Sequence, residues 1–125
     1  MAKILYVEDN DDNTFVLYRR LTSAGFDVLL ARDGEEGIAM AIANQPDLIL
    51  MDLDLPVIDG WEATRRLKSR PDTGGIPIIA LTAHSEPDLR AEAMAAGCDA
   101  FEEKPVNFPG LVERIHTVLG GRGRS

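Results

Sequence analysis

Leu48-Ile49-Leu50-Met51-Asp52 sets four apolar residues directly ahead of a carboxylate, and Leu53-Asp54 follows at once. A short, unbroken apolar run of this kind reads as a strand buried on both faces, as in a parallel sheet. A charge placed straight after such a run is costly unless it is paired. The stretch therefore sets a fold class and asks for partners to Asp52.

The same kind of run recurs on either side. Ile4-Leu5-Tyr6-Val7, Val28-Leu29-Leu30-Ala31 and Ile78-Ile79-Ala80-Leu81 read as buried strands, with Pro77 tolerated because it only starts its run. Ala100-Phe101, ahead of Lys104-Pro105, is a weaker fifth, a strand only in the light of the alternation around it. Between the runs lies helical spacing. Leu17, Leu21 and Ala24 share a face ended by Gly25, and Ile38, Ala41 and Ile42 line a helix that stops before Pro46. Trp61, Thr64 and Leu67, with Lys68, form a helix opened by Asp59-Gly60. Leu89, Ala93 and Ala96 form one closed by Gly97, and Leu111, Val112, Ile115, Val118 and Leu119 one ended by Gly120-Gly121.

Five strand-then-helix units predict an α/β fold, a flavodoxin-like doubly wound sheet of five parallel strands with five helices and strand order 2-1-3-4-5. The chain has 125 residues, which suits one domain, placed at residues 1–119, with a flexible tail at 120–125. Ligands in such folds sit outside the carboxyl ends of the strands, beside the switch point between the first and third.

Composition removes several classes of function. A net charge of −8 argues against a nucleic-acid surface, which needs a basic patch. The single cysteine, Cys98, makes neither an internal disulfide nor a cysteine-rich metal site and reads as a small buried hydrophobe. No apolar run approaches the ~18 residues of a membrane span, and the first residues lack a signal-peptide pattern. The expectation is a soluble, cytoplasmic protein that binds neither nucleic acid nor membrane.

At the carboxyl ends the sequence collects chemistry. The first strand ends in Glu8-Asp9, the third in Asp52, the fourth in Thr82 and the fifth in Lys104. Three carboxylates in one crevice repel one another, and a hard divalent cation relieves that repulsion; Mg²⁺ suits a few carboxylates plus phosphate oxygens. Lys104 and Thr82 supply donors for those oxygens, and an aspartate in such a place can accept a phosphoryl group.

These residues match a family. Val7-Glu8-Asp9-Asn10, Leu50-Met51-Asp52 through Pro56 to Asp59-Gly60, Ala80-Leu81-Thr82-Ala83 and Lys104-Pro105 resemble the receiver domain of two-component response regulators, in order and over Met1 to about Leu119. The nearest type is the single-domain, chemotaxis-regulator-like receiver. The resemblance implies that Asp52 is the phosphoacceptor and that Asp9 ligates Mg²⁺ directly. It implies that Glu8 acts through water and that Asp54 offers its backbone carbonyl. Lys104 would pair with Asp52 and then the phosphoryl group, Thr82 would turn towards the phosphate, and Phe101 would be the aromatic switch that swings inward with it. A cis peptide at Lys104-Pro105 is also implied. Asp54 and His84 stand where the family borders the path of the hydrolytic water, so they are expected to tune the lifetime of the phosphorylated state.

Plainer explanations compete locally. Asp11 and Asp12 are best read as acidic residues at a helix start, one of them capping it. Glu8 and Asp9 are evenly balanced until Asp52 is set opposite them. Thr82 and Lys104 acquire a role only as members of the set, Phe101 is core or half-core in any case, Trp61 is packing and His116 surface.

The function expected is that of a single-domain response regulator. It would take a phosphoryl group from a sensor histidine kinase or histidine phosphotransfer protein and signal to a downstream effector through the fourth helix, fifth strand and last helix. It would be a monomer or weak dimer and would catalyse only its own phosphorylation and dephosphorylation. The alternative is a haloacid-dehalogenase-like Mg²⁺-dependent phosphatase with Asp52 as nucleophile and Asp54 as general acid. Against it, the Asp-x-Asp pair sits on the third strand and an acidic pair already follows the first. A receiver-like module that only binds is weaker still, because the acceptor set is complete.

Overall fold

The computed structural model describes residues 2–55, 58–83 and 87–122. Strands and helices alternate along them: β1 (Lys3–Val7), α1 (Asp11–Ser23), β2 (Asp27–Ala31), α2 (Gly34–Asn44), β3 (Leu48–Asp52), α3 (Gly60–Lys68), β4 (Ile78–Thr82), α4 (Pro87–Ala96), β5 (Ala100–Glu103) and α5 (Phe108–Arg122). Every strand pairing is parallel, in the order β2-β1-β3-β4-β5. The flavodoxin-like doubly wound sheet is the architecture predicted.

The two-residue period of a strand builds two core layers from continuous apolar runs. Ile4, Tyr6, Leu48, Leu50, Ile79 and Leu81 pack with Leu17 and Leu21 of α1 and Leu111 and Ile115 of α5. Leu5, Val7, Ile49, Met51, Ile78 and Ala80 pack with Ala41 of α2, Ala63 and Leu67 of α3 and Ala93 of α4. Each buried leucine or isoleucine contributes ~2 kcal/mol to this arrangement. Cys98 and Phe101 belong to the second layer and Trp61 packs against it. Burial pushes the Cys98 thiol up to about 11, which leaves it unreactive. His116 is exposed and leans on the Phe26 ring.

Helix starts depart from the reading in one place. Asn10, not Asp11 or Asp12, caps α1: its side chain accepts from the Asn13 N–H at 2.9 Å, and the two aspartates fill the first turn. The physical reason is position, since an N-cap must still be extended and Asp11 is already helical. Asp33, Asp59 and Asn107 make the equivalent bonds to Glu36, Glu62 and Gly110. Asn10→Ala is expected to lower stability by ~1 kcal/mol in urea titration. Its N–H to Glu8 is backbone and survives, so the site should be undisturbed.

Helix ends follow the glycines where φ is positive. Gly25 and Gly97 take φ of 98° and 113°, closing α1 and α4. At the C-terminus α5 continues to Arg122, past the Gly120-Gly121 pair at which the apolar stripe stops. Glycine weakens a helix without blocking its dihedrals, so the last turn carries through.

Candidate functional site

Parallel pairing decides where the polar residues meet. β1 and β3 are neighbours, with Val7 opposite Met51, so Glu8 and Asp9 emerge beside Asp52. Each of the three carboxylates offers an oxygen within 4.8 Å of the others. Glu8 and Asp52 are each only 2% exposed, whereas Asp9 faces solvent. Lys104, delivered by the segment after β5 and followed by a cis peptide to Pro105, closes the set. Its Nζ lies 3.0 Å from Glu8 Oε1 and 3.1 Å from Asp52 Oδ2.

Glu8 is held from several sides. Besides Lys104, its Oε1 accepts from the Tyr6 hydroxyl at 3.3 Å, and its Oε2 from the Asn10 N–H at 3.3 Å. Tyr6 is a contributor that its apolar run marks only as a buried strand residue. The available signal was its hydroxyl: a buried phenol needs a partner, and the residue two positions along a strand lies on the same side. Burial and the Glu8 carboxylate both hold the Tyr6 phenol far above its ordinary value, so it stays a donor.

Electrostatics separate the site from ordinary surface. Burial, with the adjacent Glu8 carboxyl, pushes Asp52 up to about 6, against the pull of the Asp54 N–H and Lys104. Burial disfavours the Lys104 ammonium, but Glu8 and Asp52 outweigh it and hold Lys104 above its ordinary value. Asp52 Oδ1 is fixed by the Asp54 N–H at 3.0 Å, and Oδ2 faces Lys104.

Thr82, fully buried at the end of β4, donates to Asp54 Oδ2 at 3.4 Å. Phe101 is buried on β5 with the Arg90 guanidinium 5.0 Å from its ring centre. The structure thus brings Glu8, Asp9, Asp52, Asp54, Thr82 and Lys104 to one crevice and leaves Phe101 one strand away from it. His84 and Pro56 lie outside the described residues. A groove opens beside the crevice, lined by Tyr6, Val16, Leu17, Lys104, Val106 and Phe108 among others. Among the described residues no helix is long and apolar enough to cross a membrane.

Three carboxylates, one of them open to solvent, make a donor set fit for a hard divalent cation. A lysine and a hydroxyl at the rim make the same crevice fit for a phosphoryl group. Comparison with known proteins agrees: residues 4–116 match the model of the response regulator receiver domain. The chain belongs to that family.

Other receivers resemble it along nearly its whole length. The polar-differentiation response regulator DivK of Brucella anthropi is 34% identical over 117 residues, covering 94% of this chain and 95% of DivK. The receiver domain of a Pseudomonas aeruginosa sensor histidine kinase, solved with a magnesium ion coordinated in its active site cleft, is 36% identical with a TM-score of 0.89. That match covers 95% of this receiver and 98% of that chain. A Vibrio cholerae chemotaxis response regulator is 30% identical with a TM-score of 0.89, covering 94% and 98%. Receivers of this family are signalling domains of two-component systems. The haloacid-dehalogenase alternative finds no support: the Asp52-x-Asp54 pair stands at the end of the third strand of a receiver sheet.

Proposed function

We propose that this receiver accepts a phosphoryl group on Asp52 from the phosphohistidine of a sensor histidine kinase or phosphotransfer protein. The observation that carries the reading is the buried Asp52 carboxylate, with one oxygen on the Asp54 N–H and the other on Lys104, beside Glu8 and Asp9. In the transfer the P–N bond of the donor breaks and a P–O bond to Asp52 forms, the imidazole nitrogen keeping the electron pair. Hydrolysis by water later returns the free carboxylate and inorganic phosphate. Asp9 and Asp52, with the Asp54 carbonyl and Glu8 acting through water, would hold Mg²⁺, which when bound offsets the negative charge of carboxylates and phosphoryl oxygens. Lys104 pairs with the phosphoryl oxygens once they arrive, and Thr82 supplies a hydroxyl to one of them.

The chain does no chemistry on this reading beyond its own phosphorylation and dephosphorylation, the lifetime being tuned by Asp54 and His84. It acts as a response regulator, monomeric or weakly dimeric, in the cytoplasm; the likeness to the response regulator DivK supports that role. The phosphodonor is received along α1, where Phe15, Val16 and Tyr18 are exposed and Val16 lines the groove that reaches Glu8 and Lys104. The signal leaves through α4, β5 and α5, where Thr82 and Phe101 border a surface carrying Met94 and the Arg90–Glu103 and Arg114–Glu102 pairs.

Incubation with Mg²⁺ and a small acyl phosphate, followed by intact mass measurement, tests the assignment. A Mg²⁺-dependent phosphoadduct is expected in the wild type and none in Asp52→Asn. An adduct that persists in Asp52→Asn would refute it.

A further inference from the structure

Thr82 is fully buried, and a buried hydroxyl needs an acceptor. Its Oγ1 lies 3.4 Å from Asp54 Oδ2. That distance is long for an O–H···O bond, so the contact is weak and easily exchanged for a better acceptor. Asp54 is also tied to the site through its main chain, its N–H donating to Asp52 Oδ1 at 3.0 Å. One residue therefore touches the acceptor aspartate with its backbone and Thr82 with its side chain.

We propose that the Asp54 carboxylate is the resting-state acceptor of the Thr82 hydroxyl, and that a phosphoryl group on Asp52 must displace it to engage Thr82. The proposal rests on Asp52 being the phosphoacceptor, and it makes Asp54 a positioning residue acting through Thr82. It also gives the effect of Asp54 on the phosphorylated state a direction. The side chain occupies the donor that the phosphoryl oxygens need, and its charge lies near theirs. Both effects oppose phosphorylation, so removing the side chain should favour it.

The two effects separate in a double-mutant cycle. With Mg²⁺ saturating and acyl phosphate limiting, Asp54→Ala should raise the phosphorylated fraction and lengthen its lifetime. In a Thr82→Val background the part of the gain owed to the Thr82 contact is removed. The gain should then shrink by about threefold, the size of one modest net hydrogen bond. A gain of the same size in both backgrounds, or no gain in either, overturns the proposal.

A second arm needs neither metal nor phosphate. In methyl NMR spectra of the metal-free chain, the Thr82 signal, assigned by its loss in Thr82→Val, should shift in Asp54→Ala. It should stay near its wild-type position in Asp54→Asn, which keeps an acceptor oxygen. An unmoved Thr82 methyl in Asp54→Ala overturns the proposal. A wild type that never takes up phosphate refutes the assignment of Asp52 instead, and the NMR arm still decides the resting contact.

Discussion

Asp52→Asn is expected to be more stable than the wild type in the absence of metal, by a margin that grows between pH 4 and 6. The folded chain holds the Asp52 proton up to about 6, whereas an ordinary aspartate loses it near 3.8. Between those values the native state binds more protons than the unfolded chain, so wild-type stability falls as pH rises and levels off above 6. The difference amounts to ~3 kcal/mol, set first by burial and then by Glu8, with Lys104 already offsetting part of it. Asparagine cannot ionise and escapes the loss. Urea titrations of both proteins at pH 4, 5, 6 and 7, compared pairwise, isolate this one group from the other carboxylates. A stability difference that is flat across that range would show that Asp52 ionises like a surface aspartate. Magnesium approaches the same quantity from the other side: at neutral pH it should stabilise the wild type strongly and Asp52→Asn far less.

That destabilisation shows which parts of the molecule the sequence made legible. The sheet was readable because burial on both faces writes itself as continuous apolar runs, and the strand order followed from chain-connection rules. The carboxyl-end residues were readable as a set because those rules fix which strands are neighbours, placing Glu8 and Asp9 against Asp52. Side-chain pairing across strands was not. Lys68, legible only as part of a helix, donates to the Gly74 and Ile76 carbonyls and to Asp99 Oδ2, tying the end of α3 to the segments that lead into β4 and β5. Nothing local marks such a bond, since its partner is 31 residues away. Thr82 on Asp54, 28 residues apart, escaped for the same reason, whereas Tyr6 on Glu8 is a local pair whose only mark is the buried phenol's need of a partner. The cap of α1 went to the wrong neighbour because three adjacent residues, Asn10, Asp11 and Asp12, are all competent caps and only backbone dihedrals choose between them.

Gly60→Ala is expected to cost ~2 kcal/mol or more, although alanine is the better helix former. Gly60 opens α3 where that helix is pressed against the end of β3, its N–H donating to the Leu53 carbonyl at 3.2 Å. A Cβ there would stand 2.5 Å from Leu53 Cα and against the carbonyl oxygen of Asp52. These are backbone atoms, so no side chain can swing aside. Either α3 lifts from the sheet or the Asp52–Leu53 segment shifts, and overpacking of this kind costs up to ~3 kcal/mol. Helix propensity returns at most ~1 kcal/mol. The melting temperature should fall by roughly 8 °C. Because the displaced atoms belong to the residue that carries the carboxylate, the Lys104–Asp52 contact should loosen as well, and phosphoadduct formation should fall with stability. Gly75→Ala is the matched control: it is exposed and nothing lies within 4 Å of the added Cβ, so it should leave stability near wild type. Equal melting temperatures for the two variants would show that α3 yields freely at its start, and that the close approach of Gly60 does not hold Asp52 in place.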